Sequence, residues 1–292
     1  MKKLVKTLII CGSIIGVIGV CVLSSHLVLK YKYNIDSIEV INGLNNINKK
    51  VDEDKACRNK FNEEDKEKAI EIINASTNDF IQNDKDNIVL DYDRLVNEMQ
   101  TVIELNDREV GAICSTYLDN LKNNKFEVGE FSFDVELLEL TFNDLKEKSC
   151  DLTTIFKISV SSFKEQMNVF PLNIAKDMVP NDIYLFSTVT VNKGDSAFEY
   201  SLTSASFKMN ACTIKQTSSL FEIVDLVFDI GNSSEINLLI GSTIVDGLIG
   251  TETNKGLAYN MKIVGASDYN FVKKMVKFYL ELKGIYERIY IK

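Results

Sequence analysis

The chain has no tryptophan, two prolines and a single histidine in 292 residues. His26 stands at the end of an apolar N-terminal run, so everything beyond it lacks an imidazole. That excludes Ser-His and Cys-His nucleophilic pairs there, and any histidine-bearing zinc site. Cysteine is also sparse. Cys11 and Cys21 lie within the same run, leaving Cys57, Cys114, Cys150 and Cys212. These four could form two disulfides, but their wide spacing makes no compact framework and no CxxC metal pair. Cys114 falls on the apolar face of an expected helix, a usual place for a buried free thiol. No glycine-rich phosphate loop occurs, and no pattern implies a cofactor.

Positive charge is scarce as well. Removing Lys2, Lys3, Lys6 and Lys30 from the 33 basic residues leaves 29 against 42 acidic ones, or −13 for residues 31–292. An acidic body of this kind does not bind nucleic acid nonspecifically and is repelled by anionic lipid headgroups. The richness in Lys, Asn and Ile reads as low-GC bacterial coding.

What is present is a long apolar run over residues 7–29, with Lys2, Lys3 and Lys6 before it and Lys30 and Lys32 after it. At ~1.5 Å per residue a helix of that length reaches roughly 34 Å, enough to cross a hydrocarbon core of about 30 Å. Val22-Leu23-Ser24 offers a signal-peptidase site as the alternative. The continuation through Leu27 to Leu29 favours a retained span, and Val20 before Cys21 lacks the small residue of a lipoprotein signal. The lysine asymmetry places a short tail inside and the bulk of the chain outside. The expected organisation is therefore an anchor with a cytoplasmic tail over residues 1–30, a polar stalk over 31–60, and an extracytoplasmic α+β domain over 61–292. The stalk holds one candidate short strand at 35–41.

Within the domain, Asn62 caps a helix that opens with Glu63, Glu64 and Asp65 and continues through Ile70, Ile73, Thr77, Phe80 and Ile81. Residues 83–87 read as a turn and 101–105 as a strand. Asn106 with Glu109 forms a capping-box pattern, followed by the apolar face Val110, Ile113, Cys114, Tyr117, Leu118 and Leu121. Phe131, Phe133, Val135 and Leu137 then alternate with polar residues until Leu138, Leu140 and Phe142 shift the phase by one. Such a shift predicts a β-bulge that bends the strand. Phe156, Ile158 and Val160 continue the alternation.

A hairpin follows, with strands over 183–191 and 196–211 about the turn Asn192-Lys193-Gly194-Asp195. Helices are expected over 217–230, where Glu222, Asp225 and Asp229 make a narrow polar stripe, and over 235–250. The second is apolar almost all round and must be enclosed on most sides. Residues 257–264 read as a strand, and 268–291 as a helix or a hairpin. The fold class is α+β, a transmembrane helix followed by a long curved, mainly antiparallel sheet packed on helices.

Three stretches carry a resemblance: ELNDREVGAICSTYL at 104–118, PNDIYLFSTVTV at 180–191 and, more loosely, residues 213–249. With the single N-terminal anchor, they resemble the YpmS-like family of uncharacterised, membrane-anchored extracytoplasmic bacterial proteins. The resemblance implies a long curved sheet wrapped on helices with no assigned activity, a shape similar to that of tubular lipid-binding proteins. The longer acidic region before Leu90 departs from that family's pattern.

Specific chemistry finds little purchase. Ser161 and Lys164 have S-x-x-K spacing, but the motif ends a strand pattern and lacks its S-D-N and K-T-G companions. Asp134, Glu136 and Glu139 could form a carboxylate pair for sugar hydrolysis, although alternation puts the first two on a solvated strand face. Asp84, Asp86, Asp91 and Asp93 offer oxygen ligands for calcium without the glycine and terminal glutamate of the usual loop. What remains is apolar. Phe131, Phe133, Phe156, Ile158, Leu185, Phe198, Val224, Phe228, Leu239 and Ile240 are the candidate lining of a cavity for a lipid or another apolar envelope molecule. An ordinary core would use the same residues. Two expectations therefore stand: a membrane-anchored binding protein with an apolar tunnel, or a structural or interaction protein with a solid core and an envelope protein as partner. Neither is an enzyme.

Overall fold

The computed structural model describes residues 30, 33, 35–77, 81–84, 87–90, 103–122, 125–128, 131–146, 148–161, 164, 180–194, 200–228, 231–249 and 261–263. The N-terminal apolar run and the segment 268–291 lie outside the described residues. The elements are α1 (Ser37–Ile47), α2 (Glu53–Ala56), α3 (Glu63–Thr77), β1 (Ile81–Asp84), β2 (Asn87–Leu90), β3 (Ile103–Leu105), α4 (Asp107–Lys122), β4 (Lys125–Val128), β5 (Phe131–Asn143), β6 (Ser149–Ser159), β7 (Asp182–Lys193), β8 (Tyr200–Met209), α5 (Ile214–Phe228), α6 (Ser233–Ile249) and β9 (Met261–Ile263). The class is α+β.

Reciprocal caps start three of the helices. At α4, the Asn106 N–H donates to Glu109 Oε2 at 2.8 Å and the Glu109 N–H donates to Asn106 Oδ1 at 3.0 Å. Asn62 and Asp65 exchange the same pair at α3 (2.9 and 3.1 Å), as do Thr213 and Gln216 at α5 (3.0 and 3.2 Å). Each box satisfies donors that the first turn of a helix otherwise leaves unpaired. The α3 helix stops at Thr77, and Ile81, expected to continue it, begins β1 instead. β1 pairs antiparallel with β2 across the expected turn.

The central sheet has the antiparallel order β4-β5-β6-β7-β8. β3 stands apart, paired in parallel with β9. Two rows cross the main sheet on one face: Leu137, Phe156, Leu185 and Met209, then Val135, Ile158 and Ile183. Helices cover this face, α4 over β5 and α6 over β7 and β8, with α1 lying on α5. Full burial of a large apolar side chain contributes roughly 1.5–3 kcal/mol, so these rows dominate the core. The bulge expected from the phase shift lies between Leu137 and Glu139. A second interrupts β7 and β8 at Thr188 and Val189.

The segment read as a stalk, with its strand at 35–41, is instead part of the folded body. Residues 37–47 are helical, and Val40, Gly43, Leu44 and Ile47 are buried. Asp36 caps the helix by accepting from the N–H groups of Ile38 and Glu39 at 3.2 and 3.4 Å. A Cβ at Gly43 would stand 3.0 Å from Leu220 Cδ1, so α1 and α5 approach closely there. Beyond α1 the chain crosses the other face of the sheet. There Val51, Ala56 and Cys57 pack on Leu138, Ile155, Tyr184 and Phe186. The bulge keeps both Leu138 and Glu139 on this side and returns Leu140 to the side of the helices.

Candidate functional site

Four of the expected lining residues are buried on the helix-covered side of the sheet. Phe156, Ile158 and Leu185 project from adjacent strands toward the helices, and Ile240 lies on the buried side of α6; their exposures are 2%, 0%, 0% and 0%. A space wide enough for an acyl chain would leave exposed area on its walls, and these residues have none to speak of. Leu239 is half-buried, off the docked side of α6. Phe131 and Phe133 stand in β5, and Val224 and Phe228 in α5, but their side chains lie outside the described residues, as does Phe198 entirely.

The α6 helix is fixed to the sheet by a polar anchor with no clear signal in the sequence. Asn237 is fully buried on α6. Its Nδ2 donates to Thr188 O and Ser204 Oγ, both at 2.8 Å, and to Ser206 O at 3.2 Å, while its Oδ1 accepts from Ser187 Oγ at 2.6 Å. These partners flank the β7–β8 bulge, so one side chain serves the carbonyls that the broken ladder leaves free. One turn on, Gly241 lets the helix settle onto the sheet, because a Cβ there would meet Val189 Cγ2 at 2.6 Å. The available signal was an asparagine four residues before a glycine in an otherwise apolar helix.

A second cluster lies on the strap side of the sheet. Glu53 accepts from Lys60 Nζ (2.5 Å), Tyr184 Oη (3.0 Å) and Lys157 Nζ (3.4 Å). The Asn59 N–H donates to Glu139 Oε2 at 2.8 Å. Lys60 and then Tyr184 hold the Glu53 carboxyl below its ordinary range against the effect of burial. Lys60 is raised chiefly by Glu53, and Tyr184 is raised by burial and then by Glu53. Every shift moves away from neutrality, the reverse of what a general acid or base needs. The cluster is a tie between strap and sheet.

Asp107, in the first turn of α4, shifts the other way. Burial, opposed by a bond from the Phe142 N–H and reinforced by Glu139, pushes its carboxyl up to about 6. Its Oδ1 is buried without a hydrogen-bond partner.

The other sequence candidates do not assemble. Ser161 Oγ lies 3.1 Å from Ser159 Oγ, and Lys164 Nζ donates to Asn181 Oδ1 at 3.0 Å, so the S-x-x-K pair is occupied elsewhere. Asp134 and Glu136 are exposed, whereas Glu139 is buried against the strap, on the far side of the bulge from them. Asp84 ends β1, and Asp86, Asp91 and Asp93 lie outside the described residues. Among the described residues no three His, Cys, Asp or Glu side chains are placed to hold a metal ion. Cys57, Cys114, Cys150 and Cys212 are all buried free thiols. Among the described residues no helix is long and apolar enough to cross a membrane. Comparison of the chain with family models, with curated proteins and with solved structures finds no match in any of the three.

Proposed function

We propose that this chain is a single-pass, extracytoplasmic protein of the bacterial cell envelope that works as an interaction module, holding another envelope protein at the membrane surface. Residues 7–29 are its anchor, and the α+β body acts by its surface rather than by catalysis or by carrying a lipid. The observation that carries the choice is the complete burial of Ile158 and Leu185 on the sheet and of Ile240 on α6, none of which has exposed area. A tunnel would need those walls apart. The acidic charge of the body fits a domain that meets proteins and stands off anionic lipid.

The test is native mass spectrometry on the full chain released from detergent micelles. The expected spectrum is the bare polypeptide mass, and a stoichiometric lipid adduct that survives detergent exchange would overturn the interaction reading in favour of the carrier. Photo-crosslinkers placed along the exposed surface in living cells give the positive arm. A discrete protein adduct at a cluster of neighbouring positions is expected, and adducts to lipid alone would count against the proposal.

A further inference from the structure

Among the described residues, six large apolar side chains are exposed: Tyr33, Ile38, Ile41, Leu145, Ile214 and Leu226. Four of these lie on α1, just before it, or at the start of α5, which packs on α1. Ile38 and Ile41, at 62% and 36% exposure, are three residues apart and so share one face of α1, opposite Val40, Leu44 and Ile47.

The charge on that face differs from the rest of the body. Its remaining exposed positions are Asn42, Asn45 and Asn48, and it runs out at Lys49 and Lys50. The two carboxylates at the start of the helix, Asp36 and Glu39, are both met by Lys215 Nζ, at 3.1 and 3.2 Å. In a strongly acidic protein this surface carries two isoleucines, three amides and two lysines, with its nearest negative charges already paired. Lipid headgroups do not repel it.

Chain length brings it close to one particular surface. Only residues 30–36 separate the apolar run from Ser37, so α1 begins at most about 28 Å from the end of that run even if the connection is fully extended. Lys30 and Tyr33, both exposed, are residue types that favour a membrane–water boundary.

We infer that the face of α1 bearing Ile38 and Ile41 seats on the bilayer that the N-terminal run crosses, and so fixes which side of the body points away from the membrane. This rests on the anchor reading proposed above. It orients the domain: α1 is held against the neighbouring end of the sheet, where Asn210 Nδ2 donates to Ile47 O at 2.5 Å and to Asp182 O at 3.3 Å. The β5–β6 turn, with Leu145, lies at the opposite end of β7, since Ser149 pairs with Asn192 there. At ~3.3 Å per residue the ten steps from Asp182 to Asn192 place that turn roughly 33 Å away.

The absence of tryptophan makes the test clean. Full-length Ile38→Trp, Ile41→Trp and Leu145→Trp, all at exposed positions, are reconstituted into vesicles of brominated phosphatidylcholine and floated on a density gradient. Flotation reports the anchor, and tryptophan quenching reports the seating. The expected result is that all three variants float, that the tryptophans at 38 and 41 are blue-shifted and lose most of their emission, and that the one at 145 does not. Variants that float with positions 38 and 41 unquenched leave the anchor standing and overturn the seating. Equal quenching at 145 overturns it too, by removing the orientation. Failure to float removes both.

Discussion

Asn237 on α6 accepts the hydroxyl hydrogen of Ser187 on β7 at 2.6 Å, and through that pair the most apolar of the described helices is located on the sheet by a polar contact. Hydrophobic burial is non-directional, so a helix apolar on nearly every side could slide or rotate on an apolar face. The amide of Asn237 fits only opposite the bulge, where Thr188 and Ser206 present their carbonyls. Asn237→Ala should therefore cost more than its small change in volume suggests, about 3 kcal/mol, because several buried groups lose partners together. Urea unfolding of the variant and the parent measures this. A loss below about 1 kcal/mol would show that water or relaxation replaces the amide.

The neighbouring prediction concerns Gly241. In an exposed helix, Ala in place of Gly stabilises by about 1 kcal/mol. Here the added methyl would stand 2.6 Å from Val189 Cγ2 and 2.9 Å from its Cγ1. The crowding should reverse the sign, giving Gly241→Ala a net destabilisation of roughly 1–3 kcal/mol. The double variant Gly241→Ala with Val189→Ala should recover part of that loss, so the two changes should be less than additive in a double-mutant cycle. Strict additivity would mean that the two residues do not touch.

These two positions also mark where the sequence stopped being legible. Local signals read through well. The Asn106–Glu109 box is a fixed four-residue pattern, the one-step phase shift at Leu138 is a geometric consequence of a bulge, and the β7–β8 hairpin follows from alternation around a turn. What failed was non-local. Residues 31–60 look like a stalk because Asn and Lys dominate, yet Val40, Gly43, Leu44 and Ile47 lie on one side of a helix that Asp36 caps. Nothing local says that Leu220 waits to receive Gly43. Asn237 reads as an interruption of an apolar helix until the bulge it fills is known. The candidate lining was legible as apolar, but whether apolar residues enclose a ligand or each other depends on the distance between layers, which no periodicity encodes.

Asp107 gives a pH prediction whose sign is opposite to that of a salt-bridged carboxylate. Its folded pKa, about 6, lies above the ordinary value of 3.8. The folded state therefore holds the proton more tightly than the unfolded chain, and the carboxylate's penalty is full above about pH 6. That penalty shrinks as pH falls toward 4 and is absent below. Asp107→Asn keeps an acceptor for the Phe142 N–H and removes the charge facing Glu139. Between pH 4 and pH 7 the variant should gain about 2 kcal/mol on the parent, the roughly 3 kcal/mol of the full shift reduced because the side chain is partly open to solvent. Denaturant midpoints at pH 4, 5, 6 and 7 test this. A difference independent of pH would assign the effect to something other than ionisation.

The strap supplies the last prediction. Cys57 is buried under it, and burial, with Glu139 and Glu53 nearby, pushes its thiol up to about 11. Cys114 and Cys212, raised by burial to about 12, sit in the body of the fold. None reacts as the thiolate near neutral pH without opening, so labelling rates report the openings that expose each thiol. The strap holds by a small apolar cluster, by Glu53 and by the Asn59 bond to Glu139, so Cys57 should be modified first, ahead of Cys114, Cys150 and Cys212, which await wider unfolding. Glu53→Gln weakens the contacts to Lys60, Lys157 and Tyr184. A loss of 1–2 kcal/mol there corresponds to a factor of roughly 5–30 in the open population, so Cys57 labelling should accelerate by that factor while Cys150 changes little. Peptide mapping after timed exposure to iodoacetamide resolves the four sites. If Glu53→Gln sped all four equally, the strap would be opening only together with the whole domain, and its tie to the sheet would be part of the global fold rather than a separate latch.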